Sequence, residues 1–178
     1  MISVEKALKT ILVHFRPLRL EKVGILEARG RVIGENIFSP RNIPSANNSA
    51  MDGYAVRHKD TQSATKDHPL TFKIIEDIPA GKYPRKKIRK GESARIMTGA
   101  VIPEGADAVI RQEDTLKSGR SVLIYVPASK SDNIRFAGED VRKGERVVKK
   151  GSSLRPADIG MLAALGKSFI NVYQKPRV

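Results

Sequence analysis

Short apolar segments separated by glycine and proline are the feature that most restricts the fold of this chain. Such segments occur at residues 54–56, 70–75, 94–97, 108–111 and 122–126. Each is long enough for a β-strand, and the turn-forming residues between them favour short connections. The pattern therefore predicts a compact β-rich region with hairpins and few helices.

Helices are predicted only towards the two ends. Apolar residues recur at helical spacing over residues 4–15, and Ser3 can cap the start of this helix. Its apolar face is expected to form core or a dimer contact. A second helix is predicted to begin at Pro156 and to stop at Gly166, with a final strand over residues 169–173. The fold class predicted is α+β, mainly β.

Composition restricts the possible function less strongly. The chain has 178 residues, no cysteine, and 33 Lys and Arg against 19 Asp and Glu, which gives a net charge of +14. Such a charge attracts polyanions, phosphorylated ligands and anionic surfaces. The few aromatic residues are not interleaved with the basic ones, so nucleic-acid binding is not expected as the main function. No apolar stretch of about 18 residues and no leader is visible, which predicts no membrane span and a cytoplasmic location.

The most specific motif is the segment Asn47–Val56, which reads NNSAMDGYAV. Its Asp-Gly pair predicts a chain reversal, because glycine accepts positive φ and aspartate can hydrogen-bond the turn locally. Asp52 would then lie at the lip of the turn, with a strand starting at Tyr54. Such a carboxylate either caps its own turn or faces a ligand.

Three further segments have a similar character. Residues 95–100 read RIMTGA, residues 103–109 read PEGADAV, and residues 138–140 read GED. With the segment NSAMDGYAV, in this order, they resemble the amino-terminal region of the molybdopterin molybdenumtransferase family, the MoeA and gephyrin E-domain group. The resemblance runs from about residue 3 to residue 178.

The resemblance implies an enzyme of molybdenum cofactor biosynthesis that inserts molybdate into adenylated molybdopterin and releases AMP. The substrate would be a phosphorylated pterin, and a divalent metal such as Mg²⁺ would be needed. A cation of this type takes oxygen ligands, so a few carboxylates near a phosphate suffice. Members of the family are expected to be elongated homodimers in which this region of one subunit closes over the substrate pocket of the other.

Three residues match the family motifs at positions where we expect catalytic roles: Asp52, Thr98 and Asp140. Asp52 would position the substrate or its water, and Thr98 would donate its hydroxyl proton to a phosphate or pterin oxygen. Asp140 is also a candidate metal ligand. Each has a structural alternative: a self-capped turn for Asp52, a bond to its own backbone for Thr98, and an ion pair with Arg135 or Arg142 for Asp140.

Four residues are candidates for substrate binding: Asn48, Ser49, Arg95 and Arg135. The side chains of Asn48 and Ser49 could orient a ligand or simply hold the loop together. Arg95 and Arg135 could bind phosphate through the two-pronged guanidinium, although Arg95 could instead pair with Glu92. One departure from the family pattern lies at Asn47, where relatives commonly carry an acidic residue, and it argues against a carboxylate role at that position.

Two lobes are predicted, one from residues 1–46 and 134–178 and the other from the inserted residues 47–133. Family members continue beyond an equivalent of the final Pro-Arg-Val into a Rossmann-like domain and a small β domain. We therefore expect a missing carboxyl-terminal half, which would supply most of the pocket, and an inactive chain in isolation. The alternatives are a non-catalytic scaffold or interaction module and, less favoured, a basic nucleic-acid-binding protein.

Overall fold

The computed structural model describes residues 2–176. Its two compact units are Asn42–Arg142 and a unit formed by the chain ends, up to Arg41 and from Lys143 onward. Residues 42–46 and 134–142, which the sequence placed in the end lobe, belong to the central unit here, and Ile43 forms an isolated bridge with Val141. Residues 1, 177 and 178 of the predicted end lobe lie outside the described residues.

The described part of the chain contains two α-helices, three 3-10 helices and twelve strands, which agrees with the predicted mainly β class. The α-helices are α1 (Val4–Val13) and α2 (Pro156–Ala164), and the 3-10 helices are Ile25–Glu27, His58–Asp60 and Gln112–Asp114. The strands are β1 (Leu20–Gly24), β2 (Ile37–Phe38), β3 (Asn48–Ser49), β4 (Gly53–Val56), β5 (Leu70–Ile78), β6 (Glu92–Ile96), β7 (Ala108–Arg111), β8 (Thr115–Ser118), β9 (Ser121–Ile124), β10 (Ile134–Arg135), β11 (Arg146–Val148) and β12 (Phe169–Tyr173).

In the unit formed by the chain ends, helix α1 begins where the sequence predicted. The Ser3 hydroxyl oxygen accepts a hydrogen bond from the Lys6 backbone N–H at 3.2 Å, which caps the first turn. None of the residues of α1 is buried, so its apolar face is not part of the core. No helix of the described residues is both long enough and apolar enough to cross a membrane.

The rest of this unit packs around strands β1 and β12, which pair in antiparallel register with Val23 opposite Ile170. Helix α2 begins at Pro156 and is capped by the Asp158 carboxylate, which accepts from the Arg155 backbone N–H at 2.8 Å. Gly166, with a φ of 76°, follows the helix as predicted. The segment between residues 22 and 38 contains short strand and 3-10 pieces.

The central unit is built on a curled six-stranded sheet with the order β7-β4-β6-β5-β9-β8. All neighbouring strands are antiparallel except β5 and β6, which run parallel. Side chains alternate between the two faces, so Tyr54 and Val56 join one apolar cluster while Ala55 joins the other. All five strands predicted from the apolar segments are present.

Gly53, at the start of β4, is needed for a reason that the sequence did not reveal. Its φ is not positive, unlike that expected of a turn glycine. A Cβ atom on Gly53 would instead lie 1.9 Å from the carbonyl oxygen of Ile110 on the paired strand β7. The Asp-Gly pair therefore combines a bend at Asp52 with a close approach of two strands.

Candidate functional site

All seven predicted site residues lie in the central unit, around the short strand β3. On one side of β3, the backbone carbonyl oxygen of Ser49 accepts a hydrogen bond from the Gly99 N–H at 2.8 Å. The backbone N–H of Ser49 donates to the carbonyl oxygen of Ala100 at 2.9 Å. On the other side, β3 pairs with β10, and Ile134 lies opposite Ser49. Residues 48–50 are thereby held between the RIMTGA segment and the segment that leads into GED.

Asp52 and Thr98 are in direct contact. Atom Oδ1 of Asp52 accepts one hydrogen bond from the Thr98 backbone N–H and another from the Thr98 hydroxyl, both at 2.7 Å. Neither predicted alternative is present, since Asp52 does not cap its own turn through its side chain and the Thr98 hydroxyl does not bind its own backbone. The contact joins the NSAMDGYAV and RIMTGA motifs across 46 residues of sequence.

The same contact sets the charge of the Asp52 carboxyl group. The hydrogen bonds from the Thr98 backbone N–H and hydroxyl lower the pKa of Asp52, and the nearby guanidinium of Arg95 adds a smaller effect. Asp52 is therefore ionised at neutral pH and can accept hydrogen bonds but not donate a proton. Its atom Oδ2 has no hydrogen-bond partner among residues 2–176, which leaves one carboxylate oxygen for a ligand or water.

Ser49 and Asn48 differ in how fully their polar groups are used. The buried Ser49 hydroxyl donates to the Met51 carbonyl oxygen at 2.5 Å and accepts from the Met51 N–H at 3.3 Å, so it stabilises the loop. Atom Oδ1 of Asn48 is buried and has no partner within the part of the chain that the structure describes. A buried amide oxygen without a hydrogen-bond donor lowers the stability of the fold, unless a water molecule or another chain supplies that donor.

Arg135 links strand β10 to the GED motif. It lies opposite Asn48 in the β3–β10 pair. Its Nη2 donates to Asp140 Oδ1 at 2.6 Å, and its Nε donates to Glu139 Oε1 at 3.4 Å. The hydrogen bond to Asp140 is the main cause that raises the pKa of Arg135. The ion pair weighed as the alternative for Asp140 is therefore present.

Asn47 also contributes to this arrangement. Its Oδ1 accepts from the Ala137 backbone N–H at 2.9 Å, just before the GED motif. The amide oxygen thus fills a structural role that needs an acceptor but no charge.

The described residues show no cluster of metal ligands around Asp140, the candidate metal ligand. Residues 2–176 contain no group of three or more histidine and acidic side chains placed to hold a metal ion. One oxygen of Asp140 and one of Glu139 are engaged by Arg135, which brings a positive charge where a cation would bind.

Arg95 lies on β6, where its Nη1 donates to Asp77 Oδ2 on the neighbouring strand at 3.1 Å. The alternative of an ion pair with Glu92 is not observed, and the Glu92 carboxylate accepts a hydrogen bond from the Arg89 backbone N–H. Arg95 and Tyr54, which face each other in the sheet, also line a cavity of about 410 Å³. Burial raises the pKa of the Tyr54 hydroxyl.

One polar pair was not predicted from the sequence. Asp107, in the PEGADAV segment, accepts from the His58 backbone N–H at 2.7 Å and contacts His58 Nδ1 at 2.6 Å. Burial acts to raise the pKa of Asp107, but the hydrogen bonds from His58 outweigh it and hold the pKa below its usual value. The two residues are 49 positions apart, and no local pattern signals their pairing.

Comparison with known proteins adds independent information. Residues 2–166 match the family model described as the MoeA N-terminal region (domain I and II). The chain belongs to the MoeA family. The molybdopterin molybdenumtransferase 2 of Mycobacterium tuberculosis is 38% identical over 178 residues, which cover all of this chain and 44% of that protein. The molybdopterin molybdenumtransferase of Haemophilus influenzae is also 38% identical, over 180 residues and 43% of its length.

Solved structures of the MoeA family share the fold described above. The crystal structure of the molybdopterin biosynthesis moeA protein from Pyrococcus horikoshii OT3 has a TM-score of 0.92 and 40% sequence identity, and the match covers 99% of this chain and 47% of that one. The predicted family is thus confirmed. The chain spans less than half the length of these relatives.

Proposed function

We propose that this chain is the amino-terminal part of a molybdopterin molybdenumtransferase and that it contributes one wall of the active site. The reaction would insert molybdate into adenylated molybdopterin with release of AMP. The observation that carries the proposal is the Asp52–Thr98 contact, because it leaves an ionised carboxylate with one unused oxygen at the junction of two family motifs.

In this proposal Asp52 acts as a hydrogen-bond acceptor. Its lowered pKa keeps it charged, so Oδ2 can orient a water molecule or a substrate N–H or O–H group. Thr98 holds the other oxygen and is therefore a positioning residue for Asp52. Its hydroxyl proton is already directed to Asp52, so it offers only its lone pairs to a ligand, which changes the donor role first expected of it.

Asp140 and Arg135 form the second part of the proposed wall. Their ion pair holds the GED motif beside β3, and one oxygen of Asp140 stays unused by Arg135. Asn48 lies opposite Arg135, between the two parts, and would help to orient the substrate. Ser49 stabilises the loop, and Arg95 would contribute positive charge towards phosphate.

The remaining parts of the proposal rest on the family. Relatives are more than twice as long as this chain, so the carboxyl-terminal half would supply the rest of the pocket, in cis or in trans. A homodimer, a cytoplasmic location and a requirement for Mg²⁺ belong to the same proposal. Any magnesium ligands would have to come mainly from substrate phosphates and from the half of the enzyme beyond this chain.

The test uses a chimaera in which this chain replaces the matching region of a full-length relative. Molybdate insertion is measured with the chimaera and with the chain alone. We expect activity only in the chimaera, and a loss of about 100-fold or more in an Asp52→Ala variant, as for other groups that position reactants. Asp67→Ala, which removes an exposed carboxylate without a described partner, is the matched control. Full activity of the Asp52→Ala chimaera would disprove the assigned role.

A further inference from the structure

A basic cleft lies on the central unit at the bulge in strand β5. The cleft has a volume of about 540 Å³ and lies between β5 and the tip of the β8–β9 hairpin. Its basic lining residues are Lys73, Lys86, Lys117 and Arg120. None of them belongs to the family motifs, and only Lys117 among the four also lines the cavity at Arg95 and Tyr54.

Hydrogen bonds fix the backbone around the cleft. The N–H group of Ile74 donates to the carbonyl oxygen of Arg120 at 2.9 Å, which ties the hairpin tip to β5. Lys86 Nζ donates to the carbonyl oxygen of Ile75 at 2.8 Å, where the β5–β6 register shifts. The basic side chains therefore project from a fixed frame and not from a free loop.

The two acidic residues of the cleft offset this charge only in part. Both carboxylate oxygens of Glu76 accept from backbone N–H groups, of Arg85 at 3.0 and 3.1 Å and of Lys86 at 2.9 Å. Asp77 pairs with Arg95, which lies outside the cleft. Four basic groups therefore face the single uncompensated carboxylate of Glu76, and the cleft remains net positive.

The basic groups, in contrast, are largely unused. Among the described residues, the side chains of Lys73, Lys117 and Arg120 have no hydrogen-bond or ion-pair partner, and all three are exposed. Several uncompensated cations around one concave surface create a local positive potential that attracts clustered negative charge. Arg120 can also bind two phosphate oxygens at once.

From this arrangement we propose that the cleft binds a compact oligophosphate, such as a polyphosphate ion or the phosphate chain of a nucleotide. The volume lies in the range of small-ligand sites. Binding along a nucleic-acid strand would require a series of stacking aromatic side chains. None of the described residues that line this cleft is aromatic.

The proposal is tested by calorimetric titration of the chain with tripolyphosphate at low ionic strength. We expect saturable binding that weakens as sodium chloride is added. Lys117→Ala combined with Arg120→Ala should weaken binding about tenfold, since two nearby charges are lost. Lys73→Ala should weaken it by a smaller factor.

A second pair of variants separates a site from general attraction to a basic protein. Lys59→Ala combined with Lys66→Ala removes the same charge from two exposed lysines of the same unit, which have no partner among residues 2–176. This change should alter the affinity less than twofold. Urea unfolding curves confirm that each variant is folded. Equal weakening by both pairs, or the lack of saturable binding, would overturn the proposal. So would tighter binding of single-stranded oligonucleotides that increases with their length, because it would indicate a nucleic-acid surface.

Discussion

Thr98 donates its backbone N–H and its hydroxyl proton to the same carboxylate oxygen of Asp52, at 2.7 Å in each case. The contact fixes the orientation of the carboxylate and stabilises its ionised form. It also joins two motifs that are far apart in sequence, so both segments depend on each other for their geometry.

The first prediction concerns the pKa of Asp52. Thr98→Val removes the hydroxyl bond and keeps the backbone bond, so the pKa of Asp52 should rise towards its ordinary value without reaching it. Titration of the Asp52 carboxyl carbon by NMR measures the change. Thr98→Ser, which keeps a hydroxyl group, should leave the pKa close to that of the unchanged chain. Identical pKa values for the valine and serine variants would show that the hydroxyl bond is unimportant.

The second prediction concerns the close approach of β4 and β7. Gly53→Ala places a methyl group 1.9 Å from the Ile110 carbonyl oxygen, so the strands must separate. We expect a loss of about 2 kcal/mol or more in the free energy of unfolding, measured in urea. Gly24→Ala is the control, because Gly24 has a negative φ and no atom within 4 Å of the added carbon. Equal effects of the two substitutions would contradict the assignment.

The third prediction concerns acid stability at helix α2. The hydrogen bond from the Arg155 backbone N–H lowers the pKa of Asp158, so folding favours its ionised form. Asp158 therefore stabilises the folded chain at pH values above its pKa in the unfolded chain, which is about 3.9. This stabilisation is lost as the pH falls through the lower pKa that Asp158 has in the folded chain. Asp158→Ala should therefore cost about 1 kcal/mol near pH 6 and almost nothing at strongly acidic pH.

Urea unfolding of the chain, followed by circular dichroism near pH 6 and at strongly acidic pH, measures the cost of Asp158→Ala under each condition. Glu27→Ala removes an exposed carboxylate of the same unit that has no described partner. This control should have little effect at either pH. A cost for Asp158→Ala that does not depend on pH would argue against the capping role.

The fourth prediction concerns the pair of Asp107 and His58. Asp107→Ala removes the acceptor of two hydrogen bonds from a residue that is partly buried. The central unit should lose about 1–3 kcal/mol of unfolding free energy, because the His58 N–H groups would be left without that acceptor. Thermal unfolding compares this variant with Asp67→Ala, whose carboxylate is exposed. If Asp107→Ala lowered the unfolding free energy no more than Asp67→Ala does, the pair of Asp107 and His58 would not contribute to stability.

Several features of the fold were predictable from local sequence. Ser3, Pro156 and Gly166 mark the helix ends by their own chemistry, and the apolar segments of the central unit became strands. Unit boundaries were less predictable. Residues 134–142 join the central unit through the pairing of β10 with β3, and short strands of this kind leave no clear pattern in the sequence.

In the candidate site, too, some features were predictable from the sequence and others were not. The motifs contain Asp52, Thr98 and Asp140, and the ion pair of Arg135 with Asp140 was one of the stated alternatives. The partners of Arg95 and Asp107 were not predicted. Arg95 faces Asp77 because β6 runs beside β5 in one particular register, and a shift of one residue would point the side chain to the other face.

The sequence by itself determined the family, the mainly β class, the positions of six of the twelve described strands and the helix ends marked by Ser3, Pro156 and Gly166. Motifs, turn residues and periodicity are local properties, so they can be read without the fold. Only the tertiary structure decided that Asp52 is held by Thr98 and that Gly53 is required by the approach of Ile110. These relationships join residues that are distant along the chain. They depend on strand order and register, which the folded chain sets through the packing of all its strands together.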